Sequence, residues 1–178
     1  MAEQIIISET DVREFYPQLS VNIAVTKVDS SILLAQQNDL EPFLGWYLYN
    51  AFIEDYNGTT FDTAIYQTLF DGESYDYRGN QRYFRGIRHL LSVYSFVRTA
   101  DISDVNLTES GLVDKVTEES EIREDFQQRN SIRAIKSAAI RLEGDARAYL
   151  ETKSTTYPLY TKVYSTTEFK TSYNFVKV

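Results

Sequence analysis

Cysteine is absent from this chain of 178 residues, and histidine, methionine and tryptophan occur once each. Without thiols there are no disulfides, no thiolate nucleophile and no zinc–thiolate site. A di-iron bundle needs a Glu-x-x-His motif on two helices, which a single histidine cannot supply. That histidine, His89, lies between Arg88 and Leu90 with no GxSxG elbow anywhere in the chain, so it is expected to be a surface or interface side chain. Neither a P-loop nor a dinucleotide fingerprint occurs. The stretch "DGESYDYRGN" carries Asp71, Glu73 and Asp76 but misses the ligand spacing and terminal glutamate of an EF-hand, and a solvated loop is expected there. No run approaches the ~18 apolar residues of a membrane span, and "MAEQIIISE" lacks the basic and apolar regions of a signal peptide. The expectation is an intracellular protein, in which the "NGT" and "NLT" acceptor patterns at Asn57 and Asn106 are chance. No catalytic residue, cofactor or metal is expected, and the chain reads as no enzyme. A carboxylate-only enzyme would have Glu73, Asp76 or the glutamates near Thr117 at its disposal, but caps and surface positions account for them better.

What is present is charge of one sign and aromatic surface. Lys and Arg number 18 against 26 Asp and Glu, a formal charge of −8 that repels nucleic acid and anionic lipid overall, although a basic stripe can still meet phosphate. The 14 tyrosines and 10 phenylalanines favour an interaction protein, because a tyrosine ring packs against a partner while its hydroxyl stays wet.

Three prolines and seven glycines leave room for long helices with short joints. Ser8 or Thr10 caps a short helix that closes at Pro17. Val25, Val28, Ile32 and Ala35 form one stripe of a helix from Val21 to about Asn38. In "DLEPFLGWYLYNAFIEDY", Pro42 suits a first helical turn and Gly45 a corner. Leu40, Phe43, Leu44, Trp46, Leu48 and Phe52 are accordingly expected in a helix–helix corner of the core, with Trp46 half exposed. Asp62 caps a brief helix that ends at Asp71 and Gly72. After the polar loop "ESYDYRGN", a central helix from about Asn80 to Ile102 carries Phe84, Ile87, Leu91 and Tyr94, flanked by Tyr83, Leu90 and Val97. Beyond the loop "SDVNLTESGLVDK", Thr117 caps a last long helix reaching Glu151, with an interruption in packing expected at "QQRNS" (127–131).

From Lys153 the pattern turns β-prone. Phe169, Thr171, Tyr173 and Phe175 share one face of an expected strand. Its mate is either Leu159–Tyr164, the N-terminal "QIIIS", or another subunit through strand addition. Two basic stripes remain. Arg78, Arg82 and Arg85 are expected on one face of the central helix, and Arg129, Arg133 and Lys136 on the last; carboxylates within the fold or across a subunit boundary are their expected partners. The fold class is therefore mainly α: a compact helical bundle over 1–153, with an extended, β-prone C-terminal arm over 154–178 that pairs with a neighbouring subunit or partner.

Three segments, "DLEPFLGWYLYNAF", "HLLSVYSFVRTADIS" followed by "TESGLV", and "AYLETKSTTYPLY", resemble the head-tail connector, or adaptor, proteins of tailed bacteriophages, in the form found in phages of the Bacteroides group. The resemblance spans Leu40 to Tyr160 and carries no catalytic residue. It implies a small helical bundle arranged as a ring of about twelve copies in the virion neck, assembled in the host cytoplasm between the portal protein and a tail or second ring protein. Duplex DNA would pass through the lumen without specific binding, which an acidic wall favours. Arg78, Arg82 and Arg85, together with Phe169, Tyr173 and Phe175, are then the candidate subunit or portal interface. The alternative is a soluble helical regulatory or DNA-binding adaptor. No membrane partner is expected.

Overall fold

The computed structural model describes residues 4–17, 19, 23–101, 105–108, 111–114 and 122–160, with side chains at 4–17, 19, 23–100 and 133–160. Over these residues the chain is mainly helical, with two short antiparallel hairpins. Helix α1 (Glu9–Phe15) opens on a capping box. The Asp11 N–H donates to Ser8 Oγ at 3.3 Å, and the Ser8 N–H returns to Asp11 Oδ2 at 2.6 Å, so Ser8 rather than Thr10 is the cap. The helix closes before Pro17, as expected.

Helix α2 (Val25–Ala35) runs on as a π-helical turn (Gln36–Leu40) into α3 (Glu41–Leu44), so the expected helix continues beyond Asn38 with altered winding. The turn carries Gln36, whose amide is fully buried. Its Oε1 accepts from the Ile6 N–H at 3.3 Å, while Nε2 donates to the Gln4 carbonyl at 2.8 Å and to the Tyr49 hydroxyl at 3.3 Å. A side-chain amide thus takes the place of a neighbouring strand beside Gln4–Ile6 and satisfies backbone groups that burial would otherwise penalise. Residues 4–8 form no strand, so "QIIIS" is not paired as a strand within the described residues.

Gly45 turns the corner with φ 78°, and α4 (Trp46–Glu54) follows. Leu40, Phe43, Leu44, Leu48 and Phe52 are buried as expected. Trp46 is not part of this core: it is 61 % exposed. At about 100° per residue it points roughly opposite to Leu48, the first inward residue of α4. Helix α5 (Ala64–Asp71) starts after Thr63, not Asp62. The Asp55 carboxylate takes both the Thr63 N–H (2.8 Å) and its hydroxyl (2.5 Å), while Asp62 is held by Asn57 at 2.7 Å.

The expected polar loop at 73–80 is a β-hairpin, and the expected start of the central helix is its second strand. Strand β1 (Glu73–Tyr77) pairs antiparallel with β2 (Asn80–Phe84). Arg78 and Gly79 make the joint, with φ of 55° and 79°, the two positive values that a type I′ hairpin turn requires. Two further glycines let the hairpin enter and leave in one place. A Cβ on Gly72 would sit 2.2 Å from the Phe84 carbonyl, and one on Gly86 would sit 2.2 Å from that of Phe70.

Helix α6 (Gly86–Asp101) is the central element and packs against α1, α2, α5 and α7 (Ile122–Thr152). Its burial is nearly circumferential, with Ile87, Leu91, Val93 and Phe96 joined by Ser92, Ser95 and Thr99. These hydroxyls stay satisfied by donating to carbonyls one turn back, at 2.8, 2.7 and 2.8 Å. The expected loop after α6 holds a second hairpin, β3 (Val105–Thr108) with β4 (Gly111–Asp114). Helix α7 is continuous over 31 residues, about 46 Å; the interruption in packing expected at 127–131 falls on side chains outside the described ones. The first residues of the expected extended arm, 154–160, form turns instead, with Tyr157 buried on the bundle; Thr117, the side chain of Arg129, and the rest of the arm from residue 161 onward lie outside the described residues. Among those described, no helix is long and apolar enough to cross a membrane.

Candidate interaction surfaces

The hairpin is strapped to the end of α7 through Tyr149. Its ring stacks on Phe84 (centroids 4.2 Å) and meets Tyr75 edge-on (5.3 Å). Its hydroxyl donates to Glu73 at 2.8 Å and lies 3.2 Å from the Tyr157 hydroxyl, which donates onward to the Ile65 carbonyl at 3.1 Å. The Lys153 ammonium, 2.9 Å from Glu73, holds that carboxyl below its usual range, and burial pushes the Tyr149 phenol up. Asp76 accepts the Gly79 N–H at 2.9 Å and fixes the turn. Both acidic residues of the former loop are thus engaged in structural contacts.

Arg78, Arg82 and Arg85 do not form a helical stripe, because the segment is strand and turn rather than helix. Arg78 and Arg82 converge instead on the Tyr77 ring, their guanidinium carbons 5.2 and 4.5 Å from its centroid. The Arg82 guanidinium is 4.0 Å from Asp145, both about half exposed, a separation at which a surface pair contributes little. Arg85 does not join them on that ring; its charge acts instead on Tyr16, whose phenol pKa burial raises, and on His89, in both cases lowering the pKa. On the other face of the ribbon Tyr83 stands 61 % exposed. On α7, Arg133 is exposed and Lys136 half-buried.

His89 is not a surface residue: it is 8 % exposed, stacked on Phe15 at 4.4 Å. Burial first, then the Arg85 charge, lowers its pKa below the ordinary 6.5, so the ring is held neutral. Beside it, Arg88 reaches Asp11 at 2.6 Å and also pairs with Glu14, locking α1 onto α6. Burial pushes the Asp11 carboxyl up, but donors from Ser8 and Arg88 outweigh it and hold the group low. The other end of α6 is tied by Arg98, bidentate to Asp39 at 2.6 and 2.9 Å.

Two further surfaces are open. The outward side of α4 presents Trp46 (61 % exposed), Tyr47 (68 %) and Glu54, spaced so that they share one flank of the helix. Between α5 and the turn after α7 lies an apolar groove of about 240 Å³, lined by Leu48, Ile65, Tyr66, Tyr157, Pro158 and Leu159 with Thr63 and Thr156. No carboxylate, imidazole or amine lines it. Among the described residues no group of three or more His, Asp or Glu side chains stands together as a metal site requires.

Sequence reasoning missed Tyr77 as the organiser of the arginines and Gln36 as a clamp. The "RG" dipeptide between two tyrosine-bearing runs was the available hint of a hairpin. Phe169, Tyr173 and Phe175 lie outside the described residues.

No curated protein and no solved structure matches the chain. The sequence model of a family described as one of unknown function, DUF6712, matches residues 40–170 of the 178. On that match, which covers most of its length, the chain belongs to the DUF6712 family.

Proposed function

We propose that the chain is a structural subunit of a phage neck: a compact helical bundle that includes the turns up to residue 160, with an extended arm in the part of the C-terminus that follows, assembled as a ring of about twelve copies between portal and tail. The ring extends the DNA channel, docks a tail or second ring protein, and performs no catalysis. The resemblance of "DLEPFLGWYLYNAF" and the two later segments to connector proteins supports this. The observation that carries it furthest is the partition of aromatic side chains. One set fills the core around α6 and the hairpin root. The other, Trp46, Tyr47 and Tyr83, is displayed on the surface beside charged residues. Aromatic and arginine side chains are enriched where protein surfaces meet.

The test is native mass spectrometry of the chain alone and mixed with a portal protein from the same genome. A ring bound to the portal is the expected result. A chain that stays monomeric in both samples overturns the reading. Titration with labelled duplex between 50 and 200 mM salt is the companion measurement. Strong, salt-steep binding weakened by Arg133→Glu would favour the DNA-binding adaptor instead.

A further inference from the structure

The exposed flank of α4 and the β1–β2 hairpin complement each other in charge, chemistry and size. The flank carries two aromatic faces and a carboxylate: Trp46, Tyr47 and, seven residues on, Glu54. Helix α4 contains no basic residue, and from Tyr47 to Glu54 the flank is about 10 Å long. The hairpin carries two cations, Arg78 and Arg82, both on the Tyr77 ring and therefore no more than about 10 Å apart. Arg78 has no carboxylate partner among the described residues. The Arg82 guanidinium, 4.0 Å from the half-exposed Asp145 and on the same face of the hairpin as Tyr75, keeps about half of its side chain exposed.

Arg78 is also the sole non-glycine residue with positive φ among the described residues (55°). Asparagine would sit there at lower conformational cost, so a side chain kept under strain at a hairpin tip points to a use for it. In its own copy the hairpin packs on α7, and Arg78, Gly79 and Asn80 at its tip are exposed.

We infer that the outward flank of α4 receives the hairpin of a second copy, head to tail, with the Trp46 and Tyr47 rings and the Glu54 carboxylate meeting Arg78 and Arg82. Tryptophan is the best aromatic acceptor for a guanidinium, and the tyrosine beside it extends the platform. Because the two patches differ, the contact is heterologous. Each copy keeps one free flank and one free hairpin, so the association propagates and closes when the rotation allows. An isologous dimer through either patch alone would oppose like charges. The inference rests on the connector reading only in supposing that copies meet one another.

The absence of cysteine makes a clean experiment. Asn50→Cys on the α4 flank and Asn80→Cys at the hairpin leave every contacting side chain in place. The two full-length variants, one carrying a size tag, are mixed and oxidised. The mixed disulfide is expected in at least about fivefold excess over either homodimer, falling at least about threefold when Trp46→Ala is added to the Asn50→Cys chain. Homodimers equal to the mixed species, no cross-link, or insensitivity to Trp46→Ala would each overturn the contact. Rings that assemble normally on the portal with Trp46→Ala and Arg78→Glu combined would remove this contact and leave the connector reading standing. Mixed disulfides formed by a chain that ignores the portal would do the reverse.

Discussion

Tyr149 donates its hydroxyl to Glu73 Oε1 at 2.8 Å, and the Lys153 ammonium stands 2.9 Å from the same oxygen. One carboxylate oxygen therefore joins the first residue of β1 to the last turn of α7. The Tyr157 hydroxyl extends the link to α5 through the Ile65 carbonyl. Tyr149→Phe keeps the stack on Phe84 but breaks this chain, leaving the Glu73 carboxylate without its tyrosine donor. The expected loss is about 1–2 kcal/mol, read from the urea midpoint at unchanged slope. A loss below about 0.3 kcal/mol would mean that the straps contribute nothing beyond packing.

Acid weakens the fold in two windows. Burial and Arg85 lower the His89 pKa, so its contribution is complete above 6.5 and declines as pH falls below that value. The carboxyls of Glu73 and Asp11 are also held low, so theirs is complete above 4.5 and 3.8 and is lost as pH falls through the lowered values. Thermal melts of His89→Phe are expected to show a flatter dependence between pH 6.5 and 5 than the unmodified chain, with the lower step intact. An identical upper slope in both proteins would mean that the imidazole is not the group responsible.

How much of this was legible in the sequence depends on which force decides each element. The corner at Leu40–Phe52 was legible because apolar spacing and a glycine both mark it, and α1 because Ser8 and Pro17 bracket it. The β1–β2 hairpin was not. Arg78 occupies a left-handed position that residue preference assigns to asparagine or glycine, and the alternation of "ESYDYRGNQRYF" yields a buried face only once Tyr149 is placed beneath Tyr75 and Phe84. The arginine stripe failed with it, since a period of three to four has no meaning on a strand. His89 was misplaced for a related reason: whether a helical position is buried is settled by what packs on it, here Phe15 of α1, and sequence spacing cannot name the partner.

Two residues of the same corner should behave oppositely. Phe43 is 4 % exposed, with the Arg147 guanidinium 5.6 Å over its ring, and Phe43→Ala is expected to cost about 3–5 kcal/mol. Trp46, exposed on the far side of α4, is expected to cost the isolated chain no more than about 0.5 kcal/mol on truncation to alanine. Chemical denaturation of both variants checks the pair, and equal losses would contradict the placement of the tryptophan.

Buried hydroxyls without partners offer the converse test. Among the described residues Ser31 Oγ has no hydrogen-bond partner, and the Tyr75 hydroxyl has the Arg82 guanidinium near it but no well-formed bond. Each carries a desolvation cost that no bond offsets, so Ser31→Ala and Tyr75→Phe should be neutral or stabilising by up to about 1 kcal/mol. A loss of that size in either melt would show a partner that the described residues do not contain.

Arg78 separates stability from association most sharply. With φ at 55° it bears a backbone cost that asparagine largely avoids, and its guanidinium gains only an exposed contact with Tyr77 in return. Arg78→Asn should therefore stabilise the isolated chain by about 0.5–1 kcal/mol while lowering the yield of the Asn50–Asn80 mixed disulfide. Were arginine merely tolerated at the turn, the same variant would gain stability and cross-link as well as before. Were the turn relaxed as it stands, no gain in stability would appear. The combination of a firmer monomer and a weaker junction is the signature of a residue held in strain for the sake of a neighbour.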